Sequence, residues 1–186
     1  RKILISNIDE VVYSEPIPGR LSRLFFPLQG GETIVAWNLH NHGILASQAE
    51  ELENAIKLDV SKAHEDPLKN LVFVGGDFNA WDNLLPPISV TEPCSPGGGA
   101  NSQARPPTFC HRALRPFVDK LAKLMAEIEP TTPTHSFKKS QLNLLTYIDR
   151  IFVSIPQWLL CKFMVVSTGN DDPAELRVNR ISDHSP

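Results

Sequence analysis

The sequence predicts an α/β domain in which strands and helices are intermixed around one core. Two observations carry this. Short apolar or alternating runs are each bounded by Gly, Pro, Asn or Asp, which is how strands read. Between them lie two longer segments whose apolar residues recur at helical spacing. The 186 residues amount to one ordinary domain, long enough to bury a sizeable core without disulfide staples.

Composition narrows the class. Hydrophobic residues make up 41% and charged residues 21%, as in globular proteins, which argues against global disorder. Eighteen basic residues against twenty-one acidic ones give a net charge of −3. That excludes a strongly basic nucleic-acid coat, although a local basic groove stays compatible. No apolar run approaches the ~20 residues a membrane helix needs; the longest, residues 158–166, is interrupted by Lys162. Cys94, Cys110 and Cys161 show no CxxC spacing, so reduced thiols are expected, without a disulfide framework or zinc site. Proline is abundant, 16 of 186 residues. The chain opens on Arg1 without a methionine, and a piece of a longer protein is the expectation.

The elements follow in order. Residues 19–26 (GRLSRLFF) and 32–38 (ETIVAWN) read as two strands joined by a turn at Gln29-Gly30-Gly31. The second ends in a polar cluster, Asn38-Leu39-His40-Asn41-His42-Gly43. Ser47 then opens a helix with a capping box to Glu50. Ala49, Leu52, Ile56, Val60 and Ala63 give its apolar stripe, and Pro67 ends it. Residues 71–74 (LVFV) form a buried strand that runs into Gly75-Gly76-Asp77-Phe78-Asn79. Residues 86–107, with Gly97-Gly98-Gly99 inside, read as a flexible insertion loop. A second helix is expected over residues 112–128, with Leu114, Phe117, Val118, Leu121, Leu124, Met125 and Ile128 on one core-facing stripe. After Pro133 a connecting segment carries His135, Lys138 and Lys139. Residues 148–153 (IDRIFV) and 161–166 (CKFMVV) read as strands, and Ile181-Ser182-Asp183-His184-Ser185-Pro186 closes the chain.

Polar residues able to do acid–base and metal chemistry recur where the apolar strands end: Asn38 and His40, Asp77 and Asn79, Asp149, then Asp183 and His184. Loops on a rigid sheet commonly assemble active sites in this way. Each piece alone is a weak signal. GDFN could be a plain turn, since Gly, Asp and Asn favour turns for conformational reasons. Asp149 could be a surface ion-pair partner. His40 has rivals in Asn41 and His42. His64, His111 and His135 have no partner in the pattern.

Taken in order, NLH, GGDFN, T-x-x-D-R-I-F-V-S and SDHSP resemble the endonuclease/exonuclease/phosphatase superfamily, the deoxyribonuclease I-like proteins. The resemblance spans roughly residues 19–186, and GDFN and SDHSP are its specific parts. It implies a four-layer sandwich of two mixed β-sheets flanked by helices, incomplete at both ends here. The whole chain would be the C-terminal portion of that single domain.

What the resemblance implies for chemistry is metal-dependent cleavage of a phosphodiester, which needs an in-line water, charge neutralisation and help for the leaving oxygen. Asp77 would take the water's proton, and Asn79 would orient the water or the phosphate. Asp183, with Asp77, would hold magnesium, or manganese in its place, through hard carboxylate oxygens. His184 would contact the phosphate or move a proton, with its tautomer fixed by Asp149. His40 would face the phosphate or assist the leaving group, and Asn38 would brace the site. Thr146 stands three residues before Asp149, where family members often carry serine.

The departure lies at the ends. The family's first strand with its asparagine and its metal-binding glutamate is not found upstream of His40, and its closing strand is not found after Pro186. This piece alone is therefore expected to have little or no nuclease activity. Among subfamilies the resemblance is to retrotransposon-type, apurinic-like endonucleases, which would make DNA the partner. Arg105, Arg112, Arg115, Lys138, Lys139 and Arg150 would supply phosphate contacts. A monomer, or one unit of a polyprotein, is expected, with a nuclear location if the parent is a mobile-element endonuclease. The alternatives are a phosphatase or phosphodiesterase acting on a lipid or inositol phosphate, and a non-catalytic remnant of the fold.

Overall fold

A computed structural model describes residues 8–41, 44–79, 88–91, 115–128, 134–139, 142–146 and 148–156. Nine strands and two helices are seen among the described residues, after a short 3-10 turn at Ile8–Glu10. The strands are β1 (Val12–Ile17), β2 (Leu21–Pro27), β3 (Thr33–His40), β4 (Asn70–Asp77), β5 (Ile88–Thr91), β6 (Ala126–Ile128), β7 (His135–Lys139), β8 (Leu142–Thr146) and β9 (Asp149–Val153). The helices are α1 (Ala46–Glu65) and α2 (Arg115–Leu124). A six-stranded mixed sheet has the order β1-β2-β3-β4-β9-β6, and a three-stranded antiparallel sheet has the order β5-β8-β7. This is an α/β fold. No helix among the described residues is long and apolar enough to cross a membrane.

The β2–β3 hairpin forms where the turn residues predicted it. Leu28 N–H donates to the Glu32 carbonyl at 2.8 Å, and Gly31 takes the left-handed φ of 81° that closes the turn. Along β3 the pattern alternates: Val35, Trp37 and Leu39 are buried, whereas Asn38 and His40 are exposed. β3 and β4 pair in parallel and are linked by α1, a βαβ crossover. Ala49, Leu52, Ile56, Val60 and Ala63 of α1 pack on the same side as Val35, Trp37, Leu39, Val72 and Val74. Full burial of each large member is worth about 1.5–3 kcal/mol.

Charged side chains, one of them buried, tie the layers together. Asp59 of α1, buried, accepts from Arg23 of β2 at 2.8 and 3.0 Å and from Trp37 Nε1 of β3 at 3.1 Å. The Arg23 guanidinium also lies over the Phe25 and Trp37 rings, 5.6 and 5.7 Å from their centres. α2 is joined to α1 by Lys120 and Glu53 at 2.6 Å, and its Phe117, Val118 and Leu121 enter the core.

Four expectations change. α1 begins at Ala46, and the Ser47–Glu50 capping box is replaced by Gln48, whose Oε1 accepts the Leu45 N–H at 2.9 Å. α2 ends at Leu124, and Ala126–Ile128 forms β6, paired with Val153, Phe152 and Ile151 of β9. Within residues 86–107, Ile88–Thr91 is a strand paired with β8, and the rest lies outside the described residues. The segment after Pro133, expected to be a connection, contributes the β7–β8 hairpin. Residues 161–166 lie outside the described residues.

Candidate functional site

The sheet register brings three of the expected residues into one row. His40 at the end of β3 is the register partner of Asp77 at the end of β4, and Asp77 is the partner of Asp149 at the start of β9. Adjacent strands are ~4.8 Å apart, so His40 and Asp149 bracket Asp77 within roughly 10 Å. Their neighbours Leu39, Phe78 and Arg150 are buried. Side chains alternate between faces, which directs His40, Asp77 and Asp149 to the side of the sheet away from α1. Asn38, two residues before His40, shares that side and pairs with Gly75. The row stands at the carboxyl ends of the parallel pair β3 and β4, where open α/β sheets bind ligands.

The GGDFN turn has specific steric requirements. Gly76 has a φ of 126°, and a Cβ there would stand 2.1 Å from the Leu39 carbonyl oxygen and 2.9 Å from Asn38 Oδ1. Only glycine lets β4 approach β3 this closely. Gly75 is different, since a Cβ there would meet Arg150 O and Ile151 Cγ1 at an ordinary 3.6 Å. After Asp77 the chain turns sharply. Phe78 returns to the core against Phe152, edge to face at 5.5 Å. Its N–H donates to the Ile148 carbonyl at 2.9 Å, which joins the turn to the residue before β9.

Asn79 adopts a left-handed φ of 49°. Asparagine tolerates that region better than most residues because its short polar side chain bonds locally. Here the Asn79 N–H donates to Asp77 Oδ1 at 2.7 Å, and Asn79 Nδ2 donates to the Asn41 carbonyl at 3.2 Å. Asp77, Asn79 and Asp149 are half-buried, and His40 and Asn38 are exposed. The Asp149 N–H donates to Thr134 Oγ1 at 3.1 Å.

Among the three adjacent candidates at the end of β3, His40 lies on the side that carries Asp77. Asn41 is fully buried and bonds to the turn instead, and His42 lies outside the described residues. Asp183 and His184 also lie outside them. Arg150 leaves the expected basic mouth: it is buried on the core side, pairs with both carboxylate oxygens of Glu127 at 2.6 and 2.5 Å, and stacks over Phe152 at 5.2 Å. A guanidinium so held is not available to a phosphate backbone. His64 is exposed.

The donor chemistry fits a hard divalent cation: two carboxylates in register, beside asparagine amides. Among the described residues, however, no group of three or more His, Cys, Asp or Glu side chains is placed to hold a metal ion. A further ligand would have to come from outside them. Asn41 is the residue whose role sequence reading missed. Its only signal was its position two residues after the inward-facing Leu39, which alternation also turns inward. Compared with protein-family models and with curated proteins, the chain matches none.

Proposed function

We propose that this chain carries the catalytic half of a metal-dependent phosphodiesterase, a DNA endonuclease of the retrotransposon type, on a deoxyribonuclease I-like sandwich. The observation that supports this most is the in-register row His40–Asp77–Asp149, with Asn79 bound to Asp77. It brings together, from three strands spread over more than a hundred residues, groups that general acid–base chemistry on a phosphate needs. The mixed six-stranded sheet would be one layer of two, with β7 and β8 belonging to the other.

In this reading Asp77 accepts the proton of the attacking water, and Asn79 orients that water or the phosphate. His40 faces the phosphate on the leaving side. Asp149 orients His184, which contacts the scissile phosphate, and Asn38 braces the site. Magnesium or manganese, held by Asp77 together with Asp183, would neutralise phosphate charge.

The test is a metal titration of the 186-residue chain combined with plasmid nicking. A cation that binds only the native state adds about 2.7 kcal/mol at 100-fold over its dissociation constant, which is roughly 5–10 °C for a chain of this size. The expected result is such a shift with magnesium or manganese, and slow nicking that EDTA abolishes. A chain that shows neither the shift nor the cleavage overturns the reading. Parallel assays with an inositol phosphate and a sphingolipid phosphodiester separate the nuclease from its lipid-directed relatives.

A further inference from the structure

Asn41 follows His40 and is fully buried at the edge of the row just described. Its Nδ2 donates to the Phe78 carbonyl at 2.6 Å. That carbonyl belongs to the same peptide group as the Asn79 N–H, which donates to Asp77 Oδ1 at 2.7 Å. A peptide group is planar, with its carbonyl and N–H pointing in opposite directions. Fixing the carbonyl end therefore fixes where the N–H end aims. The amide orientation of Asn41 is itself determined, because a carbonyl oxygen only accepts and so requires the nitrogen.

The backbone of Asn41 adds two ties to the same turn. Its N–H donates to the Asp77 carbonyl at 2.8 Å, and its carbonyl accepts from Asn79 Nδ2 at 3.2 Å. Three successive residues, Asp77, Phe78 and Asn79, are thus held by one.

We propose that Asn41 is a positioning residue for this site: acting through the Phe78–Asn79 peptide, its side-chain amide orients the Asp77 carboxylate and Asn79. The use of those two groups in diester hydrolysis rests on the function proposed above; the relay does not. Space-filling alone is a poor explanation of an asparagine here. Asn41 Oδ1 is buried and accepts no hydrogen bond among the described residues, a cost that an apolar side chain of the same size would avoid. The left-handed backbone of Asn79 also persists only where its surroundings over-determine it, and the relay is one such constraint.

Hydrogen exchange on the full chain tests this directly. In Asn41→Ala the Asn79 amide exchanges at least about tenfold faster, relative to the Trp37 amide of β3, than in the wild type; tenfold corresponds to ~1.4 kcal/mol, within the range for a lost buried hydrogen bond. Val72→Ala, which opens a core cavity away from the turn, accelerates both amides together. If Asn41→Ala does not fold, Asn41→Ser gives the same reading, since its hydroxyl sits one bond closer to the backbone than Nδ2. Equal acceleration of the Asn79 and Trp37 amides in the Asn41 variant overturns the proposal. A selective effect at Asn79, in a chain that neither binds metal nor cleaves diesters, would leave the relay standing and remove the proposed function instead. Where cleavage is measurable, the loss falls on kcat with KM little changed.

Discussion

Asp77 and Asp149 stand directly opposite each other across β4 and β9. Like charges in that relation destabilise a sheet unless something offsets them, and in the function proposed above a bound cation contributes to that. A divalent cation would relieve the repulsion. Saturating magnesium is therefore expected to raise the melting temperature of the wild type more than sodium chloride of equal ionic strength. Asp77→Asn should remove more than half of that difference, and Asp149→Asn, which does not hold the cation in the proposed function, a smaller part of it. Scanning calorimetry across the two salts provides the check, and equal shifts in wild type and variants would count against a metal at this row.

The two glycines of GGDFN should respond very differently to alanine. Gly76→Ala forces a Cβ onto the Leu39 carbonyl in a backbone conformation L residues rarely adopt. A cost of about 2–4 kcal/mol is expected. Gly75→Ala meets only ordinary contacts, and a change within about 1 kcal/mol is expected. Urea denaturation of the pair measures the contrast.

The Arg23–Asp59–Trp37 cluster gives an ordered series. Arg23→Ala leaves a buried carboxylate with, among the described residues, only the indole N–H as partner; a loss of about 3 kcal/mol is expected. Trp37→Phe keeps the ion pair and removes one donor and some volume, for about 1–2 kcal/mol. Their combination should fall short of the sum because both act on Asp59. Chemical denaturation of the two single variants and the double variant tests this.

His40 and Asn79 should separate folding from chemistry. His40 is exposed, so His40→Ala should leave stability within about 0.5 kcal/mol. Asn79→Gly exchanges a side-chain hydrogen bond for relief of a left-handed φ, and a net change below about 1 kcal/mol is expected. Diester cleavage should nonetheless fall by about 100-fold or more in each, the scale of a lost acid–base or orienting group. Melting curves and cleavage rates on the same samples decide the matter.

What the sequence disclosed was what local pattern can encode. The stripe Ala49, Leu52, Ile56, Val60 and Ala63 predicts α1 because all five face one core. Met125 and Ile128 continue the spacing of α2 equally well, yet residues 126–128 form β6. Their pairing with β9 lies 25 residues downstream, and no local periodicity reports it. The site divides in the same way. The residue types at Asp77, Asn79 and Asp149 were visible, while the register that aligns them with His40 depends on how β3, β4 and β9 align. Arg150 was misjudged because Glu127, its partner, was expected on a helix. Asn41 stands in the sequence only as a rival to His40, because its hydrogen bond goes to a peptide group 37 residues away.

The alternation along β3 has a consequence for how this domain can change over time. Its odd-numbered residues Val35, Trp37 and Leu39 are committed to the helix layer, whereas the even-numbered Asn38 and His40 are not. One strand thus serves two independent selective demands. The exposed face can change its side-chain chemistry while the opposite face keeps the chain folded, with Asn41, buried yet bonded to the turn, as the point where the two demands meet.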